Sequence, residues 1–126
     1  MSFSDLIGRP WALPCNPPQS FDCWELAVEV RDRLGLTTPA YKVPPQARTA
    51  AHRRDLGGAD PKVWKRLERP VDGCLVGFGS VLIKHCGVYF NRRVMHSVEG
   101  SGVMYQEVSV LRDFFGPVSF WELIDG

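Results

Sequence analysis

The chain has 126 residues, the length of one ordinary domain, which excludes a multidomain machine or a doubly wound dinucleotide enzyme of usual size. Hydrophobic residues at 44% and charged residues at 23% describe a globular chain rather than a disordered one. A formal net charge of +1 gives no general affinity for nucleic acid.

The first 20 residues hold Pro10, Pro14, Pro17 and Pro18, so residues 1–20 are expected to run as an irregular, ordered arm. Asp5 and the short apolar pair Leu6-Ile7 fit neither a secretory leader nor a membrane span, so synthesis in the cytosol is expected. Cys23, Leu26, Ala27, Val30 and Leu34 then fall on one face of an amphipathic helix that ends at Gly35. Asp22 and Glu25 form an acidic variant of the capping box, with Asp22 accepting from the helix backbone and Glu25 reaching back.

Residues 41–72 are rich in Lys and Arg and read as a basic helical insertion on the surface. One short helix spans Pro44 to Leu56, closed by Gly57-Gly58, and a second opens at Asp60-Pro61 and stops at Pro70. From Gly73 the period becomes two: Leu75 to Ile83, His85 to Phe90, Val94 to Val98, Val103 to Val110 and Val118 to Trp121 read as strands. Connections this short cannot carry parallel crossovers, so residues 73–121 predict an antiparallel sheet and the whole chain a single α+β domain.

The helix start puts Cys23 at the first helical position, where unpaired N–H groups and the helix dipole favour a thiolate. A free cysteine is more commonly a small buried hydrophobe, and position alone does not overturn that. The histidines decide more. If the turn at Asn91-Arg92 has two residues, His96 lies opposite Gly87 and on the face of His85, so the two imidazoles are diagonal neighbours. An odd-numbered loop would put them on opposite faces. On one face, one ring serves as base while the other fixes its tautomer, the arrangement a cysteine nucleophile requires. Tyr89 shares that face, whereas Ser97 lies on the other.

These residues resemble the NlpC/P60 cysteine peptidases, which cut peptide stems of bacterial cell walls. Phe21-Asp22-Cys23-Trp24 is similar to the family's Asp-Cys motif, and the Trp after the cysteine to the subgroup found in phage tail assembly proteins. His85-Cys86-Gly87-Val88-Tyr89 resembles the family's His-Val-Gly-Ile-Tyr strand, and Val94-Met95-His96-Ser97 its following strand. The resemblance implies a papain-like fold with Cys23 as nucleophile, His85 as general base and His96 as orienting residue. It implies Trp11, Asp22, Trp24 and Tyr89 around the substrate, and a peptidoglycan stem peptide cut between D-glutamate and the diamino acid. No cofactor is expected. The setting it implies is a phage tail: a virion protein made in the host cytoplasm, with tail proteins as partners and the cell wall or periplasm as site of action.

The sequence departs from the family in places. Trp11 stands where the family often has a Tyr, Pro14-Cys15 replaces paired glycines, and Gly73-Cys74 replaces a Gly-Asp before the strand. Two rival readings follow. Cys15, Cys23, Cys74, Cys86, His85 and His96 include enough soft ligands for zinc, but no pair has the spacing of a structural zinc site. Alternatively, the chain keeps the fold and is a catalytically inactive structural or adaptor component of a phage tail.

Overall fold

The computed structural model of the chain describes residues 3–39, 44–48, 62–79 and 85–124. Helix α1, Cys23–Arg33, begins where local chemistry places it. Asp22 is the N-cap in extended conformation, and its Oδ1 accepts from the Glu25 backbone N–H at 2.8 Å, satisfying a donor that the helix start leaves orphaned. The Glu25 carboxylate, expected to reach back to the cap, instead accepts from Arg48 at 3.1 Å, because a guanidinium is the stronger donor. At the other end the N–H groups of Gly35 and Leu36 return to the carbonyls of Asp32 and Arg31 at 2.9 and 2.8 Å, the paired bonds of a Schellman stop.

Six strands follow among the described residues: β1 Trp64–Leu67, β2 Leu75–Phe78, β3 His85–Phe90, β4 Arg93–Val98, β5 Gly102–Glu107 and β6 Val118–Leu123. Helix α2, Val108–Phe115, joins β5 to β6, and a single 3-10 turn spans Pro45–Ala47. The strands form one sheet in the order β1-β6-β2-β3-β4-β5, with every paired neighbour antiparallel. The chain is therefore α+β, as its order of elements predicts. Side chains alternate along each strand, so the sheet has two apolar faces. On one, Leu75, Cys86, Val88, Met95 and Val103 pack against Leu26, Ala27 and Val30 of α1. On the other, Val76, Phe78 and Val94 pack against Leu111 of α2.

Two expectations are corrected. Residues 62–70, read as the body of a second basic helix, hold strand β1 instead. Trp64 is buried while Lys65 and Arg66 are exposed, and the segment pairs with β6 from Trp64↔Leu123 to Leu67↔Phe120. The ladder and the buried indole outweigh the local start signal at Asp60-Pro61, and the basic residues suit a sheet edge that must resist pairing with another chain. The first basic helix, read from Pro44 to Leu56, is not seen in its described part either: Pro45–Ala47 form a 3-10 turn and Arg48 is extended, drawn to the Asp22 carboxylate. Residues 49–56 and the far end of the strand read to Ile83 lie outside the described residues.

The second correction is α2. Val103 to Val110 reads as one strand, but the strand ends at Glu107 and a helix begins at Val108. Its N-cap, Glu107, makes no side-chain cap bond, so the usual start signal is missing. Burial of Leu111 and the packing of Phe115 against Phe78 hold the helix in place of a cap.

The β3–β4 hairpin turns on Asn91 and Arg92 at φ 49° and 71°, so the loop has two residues, both in the left-handed region that a type I′ turn needs. Pairing of Val88 with Met95 fixes the register, and His85 and His96 fall on one face. Gly87 lets the two strands approach there: a Cβ at this position would lie 2.6 Å from the Met95 carbonyl oxygen and 3.0 Å from His96 Cβ. Gly87→Ala is accordingly expected to cost about 1–3 kcal/mol, read as a lower urea midpoint at unchanged slope.

The N-terminal arm links this sheet to the start of α1. Gly8 N–H donates to the Val103 carbonyl and Val103 N–H to the Arg9 carbonyl, both at 2.9 Å. Further on, Phe21 N–H donates to Pro10 at 3.0 Å. Gly102, at φ 78°, permits the contact of Val103 with Arg9, since a Cβ there would stand 2.5 Å from the Arg9 oxygen.

Candidate active site

Cys23 is the first residue of α1 and keeps 6% of its surface exposed, whereas Cys74 and Cys86 keep none. Two successive residues of β3 reach its sulfur. The hydrogen bond from the Cys86 thiol is the largest influence, and it lowers the Cys23 pKa; burial opposes it, and a hydrogen bond and positive charge from His85 add to the lowering. The net result is a thiol held well below its ordinary value. Cys86 moves the other way for the same reason, raised by its bond to Cys23 and by burial. Position decides which sulfur carries the charge, because Cys23 sits at the positive end of a helix dipole. The Cys86 Sγ also lies 3.6 Å from the Cys23 carbonyl oxygen, which ties β3 to the helix start.

The other thiols are unreactive by comparison. Burial raises Cys15 to about 12 and Cys74 to about 11. A hydrogen bond to an ionised group stabilises by about 1.5–3 kcal/mol, so Cys86→Ala is expected to raise the Cys23 titration by about one to two pH units. The measurement is the pH dependence of Cys23 alkylation by iodoacetamide, with Cys23→Ala as blank. An unchanged midpoint would refute the thiol–thiolate bond.

The imidazoles meet as the hairpin register requires. His85 Nε2 lies 2.8 Å from His96 Nδ1, which leaves His85 Nδ1 for the Cys23 sulfur. His96 is fully buried, and its Nε2 lies 2.8 Å from Gln106 Oε1 on β5. Burial, followed by the charge of His85, lowers its pKa to about 4 against the bond to Gln106, so this ring is neutral at ordinary pH. Phe115, the last residue of α2, stacks on the His85 ring at 4.6 Å and meets His96 edge-on at 6.1 Å. Phe78 closes the aromatic group at 5.6 Å from His85.

Asp22 braces the turn that carries Cys23. One carboxylate oxygen caps α1 and the other accepts from Arg48 at 2.7 Å, with both side chains at most 2% exposed. Trp11 pairs through its backbone with Phe21, two residues before Cys23. Trp24 points away, buried at 5% exposure with its ring edge-on to Trp64 at 6.4 Å, and its Nε1–H has no hydrogen-bond partner among the described residues. Tyr89 lies toward the far end of β3 against Phe120, where it lines a groove of about 850 Å³ with Arg92, Arg93 and Arg112. The structure thus brings together Cys23, His85, His96 and Asp22, sets Trp11 beside the helix start, and leaves Trp24 and Tyr89 outside the cluster.

The parts that Gln106, Cys86, Arg48 and Phe115 play at the site escape the sequence reading. Gln106 had a signal: β4 and β5 pair His96 with Met104 and Val94 with Gln106, so a residue two beyond the His96 partner is its diagonal neighbour. Among the described residues no group of three His, Cys, Asp or Glu side chains is arranged to hold a metal ion.

With the thiol, the two rings and their carriers placed, the fold can be compared with solved structures. The chain has the NlpC/p60 fold. It matches the crystal structure of the NlpC/p60 domain of the peptidoglycan hydrolase SagA with a TM-score of 0.58 over 93% of this chain and 90% of that one, at 19% identity. No family model and no curated protein matches the sequence. The NlpC/p60 likeness is therefore one of architecture, and residue roles rest on the geometry above.

Proposed function

We propose that the protein is a cysteine endopeptidase that hydrolyses peptidoglycan stem peptides. One observation carries the reading: a thiol lowered at a helix N-terminus receives a hydrogen bond from an imidazole whose other nitrogen is held at 2.8 Å by a second, neutral imidazole. In such a group the Cys23 thiolate attacks the scissile carbonyl and forms a thioester as the C–N bond breaks. His85 protonates the departing amine and then takes a proton from the water that hydrolyses the thioester. His96 keeps His85 oriented through both steps.

The substrate class is supported by the fold's likeness to a domain of a peptidoglycan hydrolase. The bond between D-glutamate and the diamino acid, and delivery in a phage tail with tail proteins as partners, are the finer parts of the proposal. They rest on the sequence resemblance of Phe21-Asp22-Cys23-Trp24 and of the two histidine strands.

A second reading makes the chain an inactive structural or adaptor part of a tail, and the 6% exposure of Cys23 favours it. Digestion of purified muropeptides, followed by mass spectrometry, separates the two. The wild type is expected to release new stem fragments and Cys23→Ala none. Equal background from both would leave the adaptor reading.

A further inference from the structure

We propose that Gln106 is a positioning residue that sets the proton arrangement of the whole Cys23–His85–His96 group through the bond between its side-chain carbonyl and His96. When Cys23 is a thiolate and His85 an imidazolium, both ring nitrogens of His85 carry protons, so His85 Nε2–H donates across the 2.8 Å contact to His96. His96 Nδ1 must then be bare. A neutral imidazole bare at Nδ1 is protonated at Nε2, and that N–H faces Gln106 Oε1 at 2.8 Å. Gln106 must therefore accept.

The reverse arrangement does not work. If the amide turned its NH2 to His96, the proton of His96 would move to Nδ1 and confront the Nε2–H of His85, donor against donor in a buried site. Among the described residues, His85 is the titratable group whose charge bears on His96, and Phe115 supplies an apolar wall with no acceptor. The tautomer is thus chosen from β5.

A packing role and a positioning role predict opposite orders for two variants. Gln106→Met preserves volume and removes the acceptor, whereas Gln106→Glu preserves shape and, ionised, can only accept. If Gln106 merely fills space, Met is the better replacement. If it positions, Glu is.

The primary readout needs no turnover: nitrogen-15 spectra of the imidazoles, and the pH profile of Cys23 alkylation by iodoacetamide. In the wild type His96 is expected to be protonated at Nε2. Q106M is expected to lose that single tautomer and to slow alkylation at pH 7 by about 10-fold. Q106E is expected to keep both within about twofold.

On muropeptides, a readout that rests on the hydrolase reading, Q106M is expected to lose roughly 10- to 100-fold in kcat with KM nearly unchanged, the lower range for impaired acid–base assistance. A wild-type His96 protonated at Nδ1 would overturn the proposal, even if neither variant folded. So would folded Q106M with wild-type spectra and alkylation, or folded Q106E as impaired as Q106M. Tautomer and alkylation that respond to Gln106 in a protein that cleaves no muropeptide would uphold the proposal and end the hydrolase reading alone.

Discussion

Arg48→Leu is expected to cost about 3–5 kcal/mol of unfolding free energy at pH 7, the range for removing one partner of a buried ion pair. The guanidinium donates to Asp22 Oδ2 at 2.7 Å and to Glu25 Oε2 at 3.1 Å, and Arg48 and Asp22 are 2% and 1% exposed. Burial disfavours the Arg48 charge, and its two carboxylate partners more than restore it, leaving the pKa raised. With leucine there, the Asp22 carboxylate would stay buried with its cap bond to Glu25 N–H but without its cation.

The double variant Arg48→Leu/Asp22→Asn is therefore expected to be more stable than Arg48→Leu alone, because asparagine keeps the cap and removes the stranded charge. Urea unfolding of the two single variants and the double variant measures the coupling. A loss below about 1 kcal/mol for Arg48→Leu would mean that the pair contributes no more than a surface ion pair. The site shares this dependence, since the carboxylate that Arg48 holds is the cap of the turn that carries Cys23.

Local signals explain why some of this was legible in the chain. Asp22 before an apolar stripe of period 3.6 marks the start of α1, and the Gly35-Leu36 stop lies close to where the pattern ends. The hairpin was legible up to one parity. Whether His85 and His96 share a face turned on the number of loop residues, and the positive φ values of Asn91 and Arg92 settle it at two. What stayed hidden depends on contacts distant in sequence. Strand β1 exists because β6, more than 50 positions later, offers it a ladder. Helix α2 opens on Val108 and contains Val110, both of which favour strand locally, and no capping side chain announces it. Arg48 acts on residues 23 and 26 positions away, and nothing in its surroundings in the sequence distinguishes it from the other basic residues of that stretch.

Stability is also expected to fall by about 3 kcal/mol as pH drops from 6.5 to 4, from His96 alone. Unfolded, this ring binds its proton near 6.5; folded, burial and then the charge of His85 delay protonation to about 4. Between those values the unfolded state holds more protons, so acid draws the equilibrium toward unfolding. The contribution is complete above 6.5 and gone below about 4, and the gap between the two values corresponds to about 3 kcal/mol. Urea unfolding at pH 7.5 and 4.5, for wild type and His96→Gln, isolates it. Carboxylate titrations shared by both proteins cancel in the difference, so the wild type should lose more on acidification. An equal loss in the two would show that His96 is not held neutral by the fold. The buried environment that makes this ring hard to protonate also leaves its Nδ1 free to accept from His85. The acid sensitivity and the orientation of the His85 ring thus share one cause and should vanish together in His96→Gln.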